Sequence, residues 1–301
     1  MGVYNTFFIL ILVIFICISL FYKSRGTEFR KDYSRLQEIL SSFPGVPSLV
    51  LTATASPAAQ NSIVDALLLD KPKIITVNPD RPNIFYEIQE RKPSTQQVDE
   101  LEEIVLSMAK DLSLKKEAYP LTIMYTTLEN IRISYEVCDE LLGEMQYCGE
   151  PEPETRLFQQ FHADITDDMK NVVIRDLAKP NPTARLIFAT IALGMGLDAP
   201  SIERVIHFVP PTSLDKYVQE TGRAGRNGQD ATALLYFNNT DLRSNRPGIS
   251  KSIINYCKSN RCLRQTILEY LGFTVDPCRQ LCKCCSHCKP QCKCDFCSNA
   301  L

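Results

Sequence analysis

The sequence predicts an α/β fold with a mostly parallel sheet, followed by a small helical region rich in cysteine. Three observations carry this. Short, largely apolar runs alternate with amphipathic stretches between residues 98 and 237, a compact apolar stretch stands at 47–53, and ten of the thirteen cysteines fall between Cys257 and Cys297. Strands interleaved with helices form a parallel sheet covered on both faces, and strands buried on both faces read as continuous apolar segments.

Taken in order, a helical pattern over 28–42 leads into PSLVLTA at 47–53, which reads as a buried parallel strand, and then a helix over 58–69. Extended runs at 74–77 and 84–88 precede a polar, proline-containing stretch over 90–97 that marks a boundary. The alternation then runs helix 98–112, strand 121–125, helix 128–142, helix 168–177, strand 185–189, strand 204–208, helix 214–221 and strand 231–237. A further apolar helix follows Cys262 as far as Leu271.

Composition bounds the function. The 301 residues are 45% hydrophobic and 23% charged with a formal net charge of -2, which gives room for about two domains and no global attraction to nucleic acid. Only from Lys251 onward does the balance tip to Lys and Arg. Clustered cysteines in an intracellular enzyme favour a metal, whereas a secreted domain would use them as disulfides. The apolar run at 7–22, FFILILVIFICISLFY, is followed by Lys23 and Arg25. It is marginal for the about 20 residues a bilayer span needs, and it lacks the features of a signal peptide. As an anchor it would leave the remainder cytoplasmic; the preferred expectation is a segment foreign to the fold.

Three strings carry chemistry. YVQETGRAGRNG at 217–228 sets Gln219, Arg223 and Arg226 on one helical face at spacings of four and three, with Thr212 and Asp215 as a capping pair at the start. Gly222, Gly225 and Gly228 thin the surroundings, which suits polyphosphate approach by an arginine fork. RLIFATIALGMGLDAP at 185–200 runs from a strand into a loop with Gly194, Gly196 and Asp198, at the strand end where open α/β sheets bind ligands. Thr52-Ala53-Thr54-Ala55-Ser56 closes a strand with hydroxyls that would otherwise only cap a helix.

In this order the strings resemble superfamily two helicases, and specifically the RecQ-like ATP-dependent DNA helicases, over about residues 26–288. LTATAS is similar to motif III, IFATIALGMGLDAP to motif V and YVQETGRAGRNGQ to motif VI; GTEFRKDY at 26–33 looks like the end of the aromatic-rich DNA-sensing loop, and Asp80-Arg81-Pro82-Asn83 like the entry to the second lobe. Departures accompany the matches. No Gly is followed by Lys, and neither Asp99-Glu100 nor Asp139-Glu140 continues as an acidic DExH box, so most of the first RecA-like lobe has no counterpart here.

The resemblance implies a RecA-like helicase C-terminal lobe with a zinc-binding subdomain. Residues 1–25 form the apolar segment, 26–89 the tail of the first lobe, 90–245 the second lobe and 246–301 the zinc region. It implies an arginine finger at Arg226 supported by Arg223 and Gln219, a nucleotide junction at Gly196 and Asp198, and nucleic-acid contacts at Phe29, Arg30 and Thr126. Phe161-His162-Ala163 is similar to a following family element, with His162 equally at home as a half-buried histidine; His207 reads as structural. Zinc is implied at Cys262, Cys278, Cys285 and Cys288, with Cys282 an alternative to Cys278, His287 outside the shell and a second metal site open among the remaining cysteines.

Functionally, the resemblance implies 3'-5' unwinding of DNA, with single-stranded or forked DNA as the partner, in repair and recombination in the nucleus. ATP and Mg2+ enter only with a complete first lobe. The competing expectation is a non-enzymatic DNA- or partner-binding module.

Overall fold

The computed structural model describes residues 14–17, 36–42, 46–52, 55–93, 96–194, 199–274 and 280–294. The chain divides into two compact units, Met1–Pro79 and Asp80–Leu301.

In the first unit β1 (Ile14–Cys17) pairs in parallel with β2 (Ser48–Leu51), Ile14 opposite Ser48. The described part of the apolar run is thus a strand, and β-branched and aromatic residues suit a pleated ladder. Among the described residues no helix is long and apolar enough to cross a membrane. β2 is parallel as expected but not buried, with Leu49 and Leu51 exposed. α1 (Leu36–Ser42) and α2 (Pro57–Ala66) complete the unit around Ile63 and Leu67. Ser56 caps α2 by accepting the Ala59 N–H at 3.3 Å, and Pro57 suits the first turn because its missing N–H would have no helical partner. Residues 74–77 form no strand, and Ile75 and Val77 are exposed.

The second unit is a six-stranded, all-parallel sheet: β3 (Ile84–Glu90), β4 (Thr122–Tyr125), β5 (Phe158–Phe161), β6 (Leu186–Ala189), β7 (Arg204–His207) and β8 (Ala231–Phe237), in the order β3-β8-β7-β4-β6-β5. β4 is where the winding reverses, since the chain passes from β5 and β6 on one side of it to β7 and β8 on the other. α3 (Gln97–Lys115) and α4 (Leu128–Leu142) cover one face; α5 (Asp167–Leu177), α6 (Leu214–Thr221), α7 (Lys251–Cys257) and α8 (Leu263–Tyr270) contribute to the core of the other. The period of two along each strand decides which side chain meets which core: Met124, Leu186 and Phe188 join α3 and α4, while Ile123, Tyr125, Ile187 and Ala189 face the opposite way.

Two boundaries move. β3, expected to precede the second lobe, pairs with β8 along its whole length from Ile84 opposite Ala231 to Glu90 opposite Phe237, so it belongs to this sheet. The cysteine region is not a separate unit either, because Ile253, Tyr256, Leu263 and Ile267 share the sheet's own apolar core.

Candidate functional site

At the carboxyl end of β4, Thr126 donates its N–H to Ala189 O at 3.0 Å, and its Oγ1 accepts from Asn130 Nδ2 at 2.9 Å. Thr127 caps α4 by accepting the Asn130 N–H. Thr126 thus sits half-buried between the ends of β4 and β6 at the reversal point, where ligands of open parallel sheets bind. The β6 loop continues through a short turn, Ile191–Gly194. Gly196 and Asp198 lie outside the described residues, as do Phe29 and Arg30.

The arginine string is arranged differently from a single helical face. Ser213 caps α6 by accepting the Lys216 N–H, while Thr212 Oγ1 accepts from Lys216 Nζ at 2.7 Å. Asp215 accepts the Tyr270 hydroxyl at 2.5 Å, which ties α6 to α8 and replaces the expected capping role. The helix stops at Thr221, and the chain turns through Gly225 at φ +60°. Arg223 is consequently buried and Arg226 exposed, with Gln219 half-buried. Beside Arg223 lies the Tyr125 hydroxyl, whose pKa burial raises well above the usual tyrosine value while the Arg223 charge opposes the rise. His207 stacks on Tyr125 with ring centroids 5.1 Å apart and shares a 2.8 Å hydrogen bond with buried Glu220. The ends of β4 and β7 are thereby locked to the last turn of α6.

A second lock holds the arginine loop from outside. Arg81 donates to Gly222 O at 3.3 Å, Ala224 O at 2.9 Å and Gly225 O at 2.6 Å, and Asn83 Nδ2 donates to Gly225 O at 2.9 Å and Gln229 O at 2.7 Å. Segment 80–84 is itself gripped by buried Arg264 of α8, which reaches Asp80 Oδ1, Pro82 O and Ile84 O at 3.4, 3.2 and 2.7 Å. Continuous polar contacts therefore join the cysteine region to the loop of Arg223 and Arg226. The string Asp80-Arg81-Pro82-Asn83 was visible in the sequence, but its partners lie more than a hundred residues away.

The cysteine region adds to the β3 edge: Tyr86 N–H donates to Cys284 O at 3.3 Å and Ser286 N–H to Tyr86 O at 2.9 Å. Cys262, Cys284, Cys285 and Cys288 bring their four Sγ atoms within 4.8 Å of one another, with Cys262 to Cys284 at 3.5 Å and Cys262 to Cys285 at 4.0 Å. Bonds of about 2.3 Å from a tetrahedral zinc to sulfur imply sulfur–sulfur edges of about 3.8 Å, so these thiols fit such an ion. An all-sulfur set of four also closes the shell, as structural rather than catalytic sites do. Hydrogen bonds from the Cys262 and Cys284 thiols hold the Cys285 thiol far below its ordinary pKa, and the Leu263 N–H adds to this at 3.4 Å. Burial first, then neighbouring sulfurs, push Cys288 up to about 12. Four sulfurs this close cannot all ionise without a cation between them.

Cys284 is the member that spacing placed outside the pattern. It follows a 3-10 turn, Leu281–Lys283, with helical backbone that turns it toward Cys262. Cys278 lies outside the described residues, and Cys282 groups instead with Cys292 and Cys294. His287 donates its Nδ1–H to Arg261 O at 2.8 Å. Cys138 and Cys257 are isolated and buried, and burial raises each thiol to about 12, which suits inert core residues.

Residues 105–228 match the helicase conserved C-terminal domain family. The chain carries a helicase C-terminal lobe. More particularly it is RecQ-like: it is 30% identical over 265 residues to the RecQ-like DNA helicase BLM of Xenopus laevis, covering 82% of this chain and 18% of that protein. It is likewise 30% identical over 263 residues to the ATP-dependent DNA helicase RecQ of Pasteurella multocida, covering 82% of this chain and 37% of that protein. The chain therefore spans well under half the length of these relatives. S. cerevisiae Dbp5, solved bound to RNA and ADP BeF3, shares the fold with a TM-score of 0.54 at 15% identity, over 86% of this chain and 57% of that one.

Proposed function

We propose that this chain supplies the rear motor lobe of an ATP-dependent DNA helicase that moves 3'-5' on single-stranded or forked DNA, in nuclear repair and recombination. The supporting observation is the exposed Arg226 on a loop fixed by Arg81 and Asn83, next to a buried Arg223. A guanidinium held this way acts on a phosphate presented by another lobe. By the family resemblance Arg226 is the finger with Arg223 and Gln219 in support, Gly196 and Asp198 serve the nucleotide, and Thr126, Phe29 and Arg30 serve DNA. ATP and Mg2+ require a front lobe, because these residues contain no Gly-Lys pair and no acidic box. Zinc, held by Cys262, Cys285, Cys288 and a fourth thiolate, would fasten the cysteine region to β3 and Arg264.

Purified chain should show no DNA-stimulated ATP hydrolysis; joined to a matching RecQ front lobe it should gain it, and Arg226→Ala should then remove about 10³-fold or more without lowering stability. Turnover by the isolated chain, or a joined enzyme indifferent to Arg226, refutes the assignment. DNA binding without any activity in the joined protein would favour the non-enzymatic module instead. For the fourth thiolate, geometry points to Cys284 and the resemblance to Cys278; Cys278→Ser and Cys284→Ser separate them by which one releases zinc.

A further inference from the structure

We infer that the cysteine region holds a second metal, at Cys282, Cys292 and Cys294, distinct from the four-thiol cluster. The three Sγ atoms lie within 4.8 Å of one another, and Cys282 and Cys294 are 3.7 Å apart. That separation is far from the about 2.05 Å of a disulfide and close to the about 3.8 Å edge of a tetrahedral zinc–thiolate site. An odd number of converging thiols also cannot be consumed by pairing among themselves. Three soft sulfur donors select a thiophilic ion, zinc first among those available to an intracellular protein, with a fourth donor completing the shell.

The backbone explains why seven thiols sort into two groups. Two short 3-10 turns, Leu281–Lys283 and Lys289–Gln291, carry or flank four of them. Cys282 sits within the first turn and Cys284 caps its end; Cys288 opens the second turn and Cys292 caps its end. Each turn thus places one sulfur in the four-thiol cluster and one in the three-thiol group. Turns of three residues have little stability of their own. One ion at the four-thiol cluster would fix one end of each turn and leave the other end loose. A second ion joining Cys282 to Cys292 and Cys294 clamps both ends and ties the segment after the second turn back to the first.

The test uses the full chain, reduced and reconstituted with zinc. About two zinc ions per chain are expected, falling to about one in the Cys282→Ser, Cys294→Ser double variant. The double variant Cys285→Ala, Cys288→Ala should lose the other equivalent, so failure at either site is read separately. Cobalt titration of the unaltered chain gives an answer that does not depend on any variant folding: thiolate-to-cobalt charge-transfer absorbance should keep rising through a second equivalent. Saturation at about one zinc, a Cys282→Ser, Cys294→Ser protein that still holds two, or charge-transfer absorbance that stops after the first cobalt would overturn the inference. So would protection of Cys282 and Cys294 from alkylation that only a disulfide reductant removes.

Discussion

Arg81→Ala tests whether the arginine loop is held from outside by segment 80–84. Of the three carbonyls Arg81 reaches, Gly222 O is already distant at 3.3 Å, and Gly225 O keeps the Asn83 donor at 2.9 Å. Ala224 O, at 2.9 Å, loses the guanidinium outright. A charge-assisted hydrogen bond contributes about 1.5–3 kcal/mol. Because Arg81 is half-exposed, solvent screening trims the sum of these losses to about 2 kcal/mol. That should appear as local opening of the loop, about 30-fold faster exchange at about 1.4 kcal/mol per factor of ten. The reporting amides are Gly225, which donates to Ile202 O at 2.7 Å, and Gly228, which donates to Gly225 O at 3.0 Å. Hydrogen exchange with peptide-level mass spectrometry reads them, with α3 as an internal reference. Unchanged exchange in 222–229 would refute the lock, and equal acceleration in α3 would show a global rather than a local loss.

Gly225→Ala should cost more than 2 kcal/mol: φ +60° alone costs about 1–2 kcal/mol, and the new Cβ would lie 2.4 Å from Asn83 Nδ2 and 2.7 Å from Gln229 O. Gly228→Ala, at φ +89° in open space, should lose only the backbone part, so equal melting temperatures for the two variants would contradict the packing argument. Arg91→Ala should destabilise by about 3 kcal/mol in denaturant titration, since it removes the counter-charge held at 2.7 Å from the largely buried Asp241 carboxylate and leaves it only the Asn238 N–H at 2.9 Å; a loss below about 1 kcal/mol would count against this. Chelation of zinc from the reduced protein should loosen α8 and the β3 edge before the rest of the sheet, as seen by hydrogen exchange; an unaffected edge would argue against a structural metal. Deleting residues 1–25 removes the partner of β2, yet the sheet of Asp80–Leu301 should keep its exchange protection; collapse of that protection would show that the second unit depends on the first.

Elements with local signals were legible. α4 and α6 fall where periodicity put them because Thr127 and Ser213 stand just before the first turn and supply the cap, and β8 reads directly from its apolar run. β5 was missed because Phe158-Gln159-Gln160-Phe161 is short and carries two amides, and becomes a strand only by lying beside β6. The membership of β3 depended on pairing with β8, the last strand of the sheet, which no local pattern states. For the site, the sequence supplied the arginines, the Asp80-Arg81-Pro82-Asn83 string and three of the clustered thiols. Only the tertiary structure separated a buried Arg223 from an exposed Arg226, because spacing assumes a continuing helix and the chain instead turns at Gly225. Only it divided seven cysteines into four and three. Caps and periodicity act within about four residues, so they are written in the order of the chain. Strand partners and converging sulfurs are chosen by how distant segments fold together, and that choice exists only in three dimensions.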